Sequence, residues 1–288
     1  MRLSPTTIVR LNFDALRRVT DVAVARASVF LGLATNAVSA PQPPSHVLDD
    51  KVQYCFVPKE VTSGTLVHFR EEFIYWILAN ALRDLVESFS GFLIHCRRLI
   101  FVIDLETIDE AEFARELAEY EKKSIRIQYE LLKDIVGLDS TYMEMFETFR
   151  KARNCLAHRR GIVSEIDVNT DDSQLRLRWC FMATFLENPD GTEQIVDNDT
   201  ISLIAPTAVE RRIVAHLTWK EREYRIGSQI RLSRHDLGEI CFGLHFATEH
   251  VLAKLRDFAL QKGIPFENAA EGAARAATSP PDNLDRED

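Results

Sequence analysis

The sequence predicts an α+β chain: an antiparallel helical bundle carrying a small antiparallel β-sheet insertion before its last helix. Three observations carry that prediction. Apolar residues recur at three-and-four spacing in separate blocks up to residue 160 and again after residue 233. Between those blocks the period drops to two. Capping signatures and Pro- or Gly-containing breaks separate the blocks from one another.

Phe13 to about Leu33 reads as an amphipathic first helix within residues 1–40. Asp14, Arg17, Arg18 and Asp21 precede the apolar stretch from Val22 to Leu33, and Arg26 interrupts it. Neither a signal peptide nor a membrane span is therefore expected, although the small residues Ala37-Val38-Ser39-Ala40 follow. Ala40-Pro41-Gln42-Pro43-Pro44-Ser45 opens a linker over residues 41–65.

The main domain, 66–262, starts with a long helix from Leu66 past Phe89 to Leu99. Phe69, Phe73, Trp76, Ile77, Asn80, Ala81, Asp84 and Leu85 keep helical spacing, with Trp76 expected in the core and Gly91 as a place for a kink. Thr107 and Glu110 have capping-box spacing. They open one second helix with the stripe Phe113, Leu117, Tyr120, Ile127, Leu131, Leu132 and Ile135, which Gly137 closes. Ser140 is placed to cap a shorter helix bearing Met143, Phe146 and Phe149, and Gly161 to stop it.

The β-rich insertion covers about 162–232. Leu175, Leu177, Trp179, Phe181, Ala183 and Phe185 alternate with Arg176, Arg178, Cys180, Met182 and Thr184. Asn188-Pro189-Asp190-Gly191 is turn chemistry. Ile201–Ile204, Ile213–Trp219 and Tyr224–Leu232 are further strand candidates, and Trp179 and Trp219 are expected in the core. Ser233-Arg234-His235-Asp236 caps the last helix, whose apolar face runs from Leu237 to Phe258. Residues 263–288 read as a disordered acidic tail.

The composition is that of a soluble globular protein: 288 residues, 46% hydrophobic and 27% charged. A net charge of −9 excludes a general nucleic-acid-coating protein, so any contact with nucleic acid is local. Cys55, Cys96, Cys155, Cys180 and Cys241 are odd in number and widely spaced, as reduced cytoplasmic thiols are. His245 and His250 are five apart, and no His or Cys spacing suggests a metal or cofactor.

Against that acidic background, one run stands out: Phe149-Arg150-Lys151-Ala152-Arg153-Asn154-Cys155-Leu156-Ala157-His158-Arg159-Arg160-Gly161. Arg150, Lys151, Arg153, Arg159 and Arg160 surround one imidazole, which suits an anion, with phosphate the commonest. On an ideal helix Asn154 and His158 lie roughly 40° apart, whereas Arg153 and His158 lie roughly 140° apart. Arg153 and His158 converge if the helix end is distorted or if two copies meet across a two-fold axis. Imidazole takes and returns a proton, guanidinium stabilises charge at phosphorus, and Asn orients. RNA supplies its own nucleophile, the 2′-hydroxyl. Asn80, Asp84 and Glu87 on the long helix are candidate partners for the Arg cluster, or a solvated edge.

Arg153-Asn154-x-x-x-His158, at the end of a short helix behind two long ones, resembles the signature of the HEPN family. The resemblance covers Leu66 to Arg160 and the final helix, and makes the strand-rich stretch an insertion. It implies an often dimeric helical bundle, with many metal-independent endoribonucleases of toxin–antitoxin and phage-defence systems among its members. It also implies catalytic roles for Arg153 and His158, a supporting role for Asn154, and RNA, a second copy and an antitoxin or regulatory protein as partners. The charge cluster itself makes Arg150, Lys151, Arg159 and Arg160 the expected RNA contacts, with offset of the helix dipole as the other reading of Arg159 and Arg160. One branch of the family has Tyr two residues after the His; here that residue is Arg160. A non-catalytic dimeric module that binds RNA, a nucleotide or a protein is the alternative, and a regulatory protein working through its sheet is a third.

Overall fold

A computed structural model describes residues 11–39, 62–104, 109–196 and 211–264. Most of the 41–65 linker, Thr107, the Ile201–Ile204 strand, Cys55 and nearly all of the 263–288 tail lie outside the described residues. The fold is α+β. Six helices are described: α1 (Phe13–Ser39), α2 (Ser63–Ile103), α3 (Glu110–Glu121), α4 (Ile125–Val136), α5 (Met143–Arg159) and α6 (Arg234–Gln261). Strands β1 (Gln174–Glu187), β2 (Glu193–Ile195) and β3 (Arg212–Arg225) form one antiparallel sheet in the order β2-β1-β3, before the last helix.

α2 is the spine. Thr62 caps it, its hydroxyl accepting from Thr65 N at 3.2 Å, and the helix runs unbroken through Gly91. Leu82, Leu85, Phe89, Phe92, Leu93 and Cys96 keep one face of it in the core. Nothing on the helix before Leu78 is buried, and Trp76 is 59% exposed where the spacing had placed it in the core. Periodicity locates a stripe; it does not say how far along a long helix the neighbours extend.

The second helix is two. The chain turns at Lys122–Ser124, where Tyr120 Oη donates to Gln128 O at 2.9 Å and Gln128 Nε2 to Tyr120 O at 3.3 Å. The turn changes the phase of the stripe, so α4 buries Ile125, Tyr129, Leu132 and Val136, and leaves Ile127 and Leu131 exposed. Asp109 is the cap of α3, its carboxylate accepting from Glu112 N. Gly137 closes α4 in the left-handed conformation, as its position implies.

The sheet packs on α5 and α6 through β1. Thr148 of α5 meets the edge of β1: its Oγ1 accepts from Arg178 N at 3.1 Å and donates its one proton to Met145 O at 2.9 Å, with Arg178 O also near at 3.3 Å. Trp179 is fully buried and its indole donates to Glu239 of α6 at 3.0 Å. Gly243 allows the close approach, since a Cβ there would lie 2.6 Å from Cys180 O. β3 is one long strand in register with all of β1. Tyr224–Leu232 is no separate strand, because Gly227 at φ 82° turns the chain and Gln229 then makes only an isolated bridge to Ile162. Ser233 and Asp236 form the expected capping box on α6.

α1 lies on α2 and α6, burying Thr20, Ala23, Ala27 and Ala34. Arg17 pairs with Glu249 at 2.6 Å and Arg26 with Asp84 at 2.8 Å. α1 is the one described helix long and apolar enough, by length and composition, to cross a membrane. Cys96, Cys155, Cys180 and Cys241 are free and buried.

Candidate active site

The motif occupies the end of α5. Phe146, Phe149, Ala152 and Cys155 anchor the helix in the core. Its other side, carrying Glu147, Lys151, Asn154 and His158 at helical spacing, faces outward. The helix stops because Arg160 (φ 52°) and Gly161 (φ 74°) are both left-handed. Gly161 N donates to Cys155 O at 3.1 Å, and Tyr75 Oη of α2 donates to Arg160 O at 2.8 Å. The end of the motif helix is thus latched to the spine.

Arg153 points toward α2. Its Nη2 donates to Glu87 Oε1 at 2.9 Å and its Nη1 to Asn154 Oδ1 at 3.0 Å. Arg153, Asn154, Glu87 and Arg150 line an open cavity of about 410 Å³ with Lys122 and Lys123 of the α3–α4 turn. His158 does not line it. The imidazole is exposed one turn beyond Asn154, with no hydrogen bond among the described residues. One chain therefore unites Arg153 with Asn154 and leaves His158 on the adjoining face.

Three of the neighbouring cations are held within the chain. Arg150 pairs with Glu147 at 2.6 Å, and Lys151 donates to Val168 O. Arg159 grips Asp167 with both arms of its fork, Nε at 2.8 Å. Burial alone would raise the Asp167 carboxyl, but Arg159 and Ser164 outweigh it and hold the group below the usual carboxylate range. The same balance, burial against Arg150, lowers Glu147. Burial pushes the Cys155 thiol up to about 12, which favours its protonated form at neutral pH. Arg160 lines a separate groove of about 700 Å³ with Trp76 and Leu156.

Of the three α2 residues offered as partners for the Arg cluster, Glu87 is one. Asp84 belongs to Arg26, and Asn80 donates to Trp76 O. Sequence reasoning missed Asp167, although Ser164-x-x-Asp167 has capping-box spacing just beyond the motif and forms that box in the structure. It also missed Lys122 and Lys123, which the α3–α4 turn brings to the cavity. Among the described residues, no group of three or more His, Cys, Asp or Glu side chains is placed to hold a metal ion.

Arg153 and Asn154 offer a guanidinium and an amide to an anion, with an imidazole one turn away. Comparison with family models, curated proteins and solved structures returns no match for this chain.

Proposed function

We propose that this chain is a metal-independent endoribonuclease of the HEPN type, working as a homodimer in the cytoplasm. The observation that carries the reading is the Arg153–Asn154 contact at an open cavity rich in cations, with His158, which makes no hydrogen bond among the described residues, one helical turn beyond Asn154. The motif at the end of α5 and the sheet before α6 support the reading, with α3 and α4 standing where the resemblance has a second long helix. The two-fold supplies what one chain lacks, a His158 from one copy beside the Arg153 of the other.

In this reading the RNA 2′-hydroxyl attacks the adjacent phosphorus. His158 takes the 2′ proton, or protonates the departing 5′ oxygen as its counterpart acts as base. Arg153 stabilises the charge gathering on the phosphoryl oxygens, and Asn154 orients Arg153. The P–O5′ bond breaks, leaving a 2′,3′-cyclic phosphate and a 5′-hydroxyl. Arg160 is the motif cation whose side chain makes neither an ion pair nor a hydrogen bond among the described residues, so it is the one left to meet substrate phosphate; Arg150, Lys151 and Arg159 serve the helix end first. A toxin or phage-defence role, with an antitoxin or regulatory partner, rests on the resemblance alone.

The internal pairing of Arg153 with Glu87 favours one second reading, a dimeric module that binds RNA without cutting it. Expression in a host separates the two. The nuclease arrests growth, and Arg153→Ala or His158→Ala relieves the arrest. Equal toxicity of the parent and both variants rejects the nuclease.

A further inference from the structure

The first four turns of α2, Ser63–Ile77, bury no residue, yet they are rich in large apolar side chains. Phe69, Phe73 and Trp76 are 48%, 40% and 59% exposed. Phe30 and Leu33 of α1, also exposed, extend the same face, with Phe30 and Trp76 lining one hollow. Scattered apolar residues on a surface are ordinary, but a contiguous aromatic face on two packed helices marks an interaction surface.

The charges within this face say what covers it. Arg83 lies in the stripe beyond Trp76, and its Nη1 reaches Asn80 Oδ1 at 3.3 Å. Its Nε is buried and makes no hydrogen bond among the described residues, and Arg83 has no carboxylate partner there. Glu72 lies on the same helix, in the same groove, 41% exposed, with Arg231 of its own chain no closer than 3.6 Å. Residues 72 and 83 are eleven apart, about 16 Å along the axis and close to whole turns, so they share a face. An antiparallel copy of α2, rotated about a point midway between them, sets Glu72 against the partner's Arg83 and Arg83 against the partner's Glu72. That point falls between Ile77 and Leu78, beside Trp76.

We infer that a second copy of this chain covers the face, with α2 packed antiparallel on the partner's α2, the aromatic stripe at the centre and two reciprocal Glu72–Arg83 ion pairs flanking it. The arrangement is self-complementary, as a two-fold interface must be. It gives the half-buried Arg83 the carboxylate it lacks among the described residues of one chain. It also bears on the motif. Leu156, Arg160 and Ile162 wall the same groove, and Tyr75 fixes the end of α5 at the level of the two-fold. Rotation about that axis keeps both α5 ends on one side of the α2 pair, with Arg153, held by Glu87, about 14 Å along α2 from the pivot. This specifies the dimer on which the ribonuclease reading rests.

The test is sedimentation velocity of the full chain from about 1 to 100 µM, the range in which moderate dimers dissociate. The parent is expected to dimerise, and Trp76→Asp to sediment as a monomer with an unchanged circular dichroism spectrum. Glu72→Arg and Arg83→Glu, each of which sets like charges face to face, are each expected to weaken the dimer at least about tenfold. The double variant Glu72→Arg/Arg83→Glu restores the pairs in reverse and recovers the dimer. A parent that stays monomeric overturns the inference, whatever lipid vesicle or other protein the face then takes up. So does a dimer indifferent to the single reversals, or one the double reversal fails to restore. The readout is mass, so a protein that dimerises this way and cleaves no RNA rejects the nuclease and leaves this interface standing.

Discussion

In the proposed reading Glu87 competes with RNA phosphate for Arg153, and its removal measures how strongly. The Arg153–Glu87 contact is 2.9 Å, between side chains 35% and 50% exposed. An exposed pair of that kind is worth about 0.2–1 kcal/mol. Its upper limit corresponds to a factor of about five in an equilibrium constant. Glu87→Gln keeps the side-chain shape and removes the charge. It is therefore expected to tighten RNA binding by at most about fivefold and to lower stability by no more than about 1 kcal/mol. The assay is fluorescence anisotropy with labelled single-stranded RNA at one fixed salt concentration, in a His158→Ala background that prevents cleavage. Arg153→Ala supplies the control. If Glu87 acts through Arg153, the gain disappears when Arg153 is absent. A gain of equal size without Arg153 would show that only net charge had changed. A loss of affinity would show that Glu87 positions Arg153 for RNA, and either result refutes the competition.

Two further predictions concern what holds the site in place. Asp236, fully buried at the start of α6, accepts from Ser233 N at 2.8 Å and pairs with Arg222 at 2.9 Å and Lys220 at 3.2 Å. Burial would raise its carboxyl, but these partners hold it below the usual range. A carboxyl depressed in the folded state stabilises the protein above its unfolded pKa of about 3.9, and that stability is lost as pH falls through the folded value. Asp236→Asn is thus expected to cost about 1.5–3 kcal/mol at neutral pH in denaturant titrations, with the gap to the parent closing below about pH 4; a gap that widens in acid would contradict this. Gly161→Ala places a Cβ against Tyr75 Oη at a positive φ, and is expected to cost about 1–3 kcal/mol and free the end of α5. Tyr75→Phe removes the overlapping oxygen, so the double variant should unfold at higher temperature than the two single effects summed would allow.

The local grammar of this chain was readable. α1 and α6 follow their apolar spacing, β1 keeps its alternation as far as Trp179 and then shifts phase to bury Cys180 and Leu186 while Phe181 and Phe185 are half-buried, and the Ser233–Asp236 and Gly137 caps follow their residue types. The candidate site was readable as a motif on a helix end, because Asn154 and His158 share a face by the helical period alone. Three things were not. The α3–α4 break depends on contacts between Tyr120 and the Gln128 side chain and backbone, which no periodicity encodes. The exposure of Trp76 depends on where neighbouring helices end. The pairing of Arg159 with Asp167 depends on the chain turning back after Gly161, which brings together charges eight residues apart, and the packing of α5 on α2 decides that Glu87, of the three carboxylate and amide candidates on α2, is the one that meets Arg153. A cluster of five cations in the sequence is, in the fold, largely a set of ion pairs and hydrogen bonds that shape one helix end.

The central claim is that His158 and Arg153 cut RNA without a metal. The most direct measurement is incubation of the purified protein with total RNA in EDTA, beside His158→Ala, with the product ends analysed. The account predicts cleavage by the parent alone, leaving 2′,3′-cyclic phosphates. Cleavage by both proteins, or by neither, would contradict it.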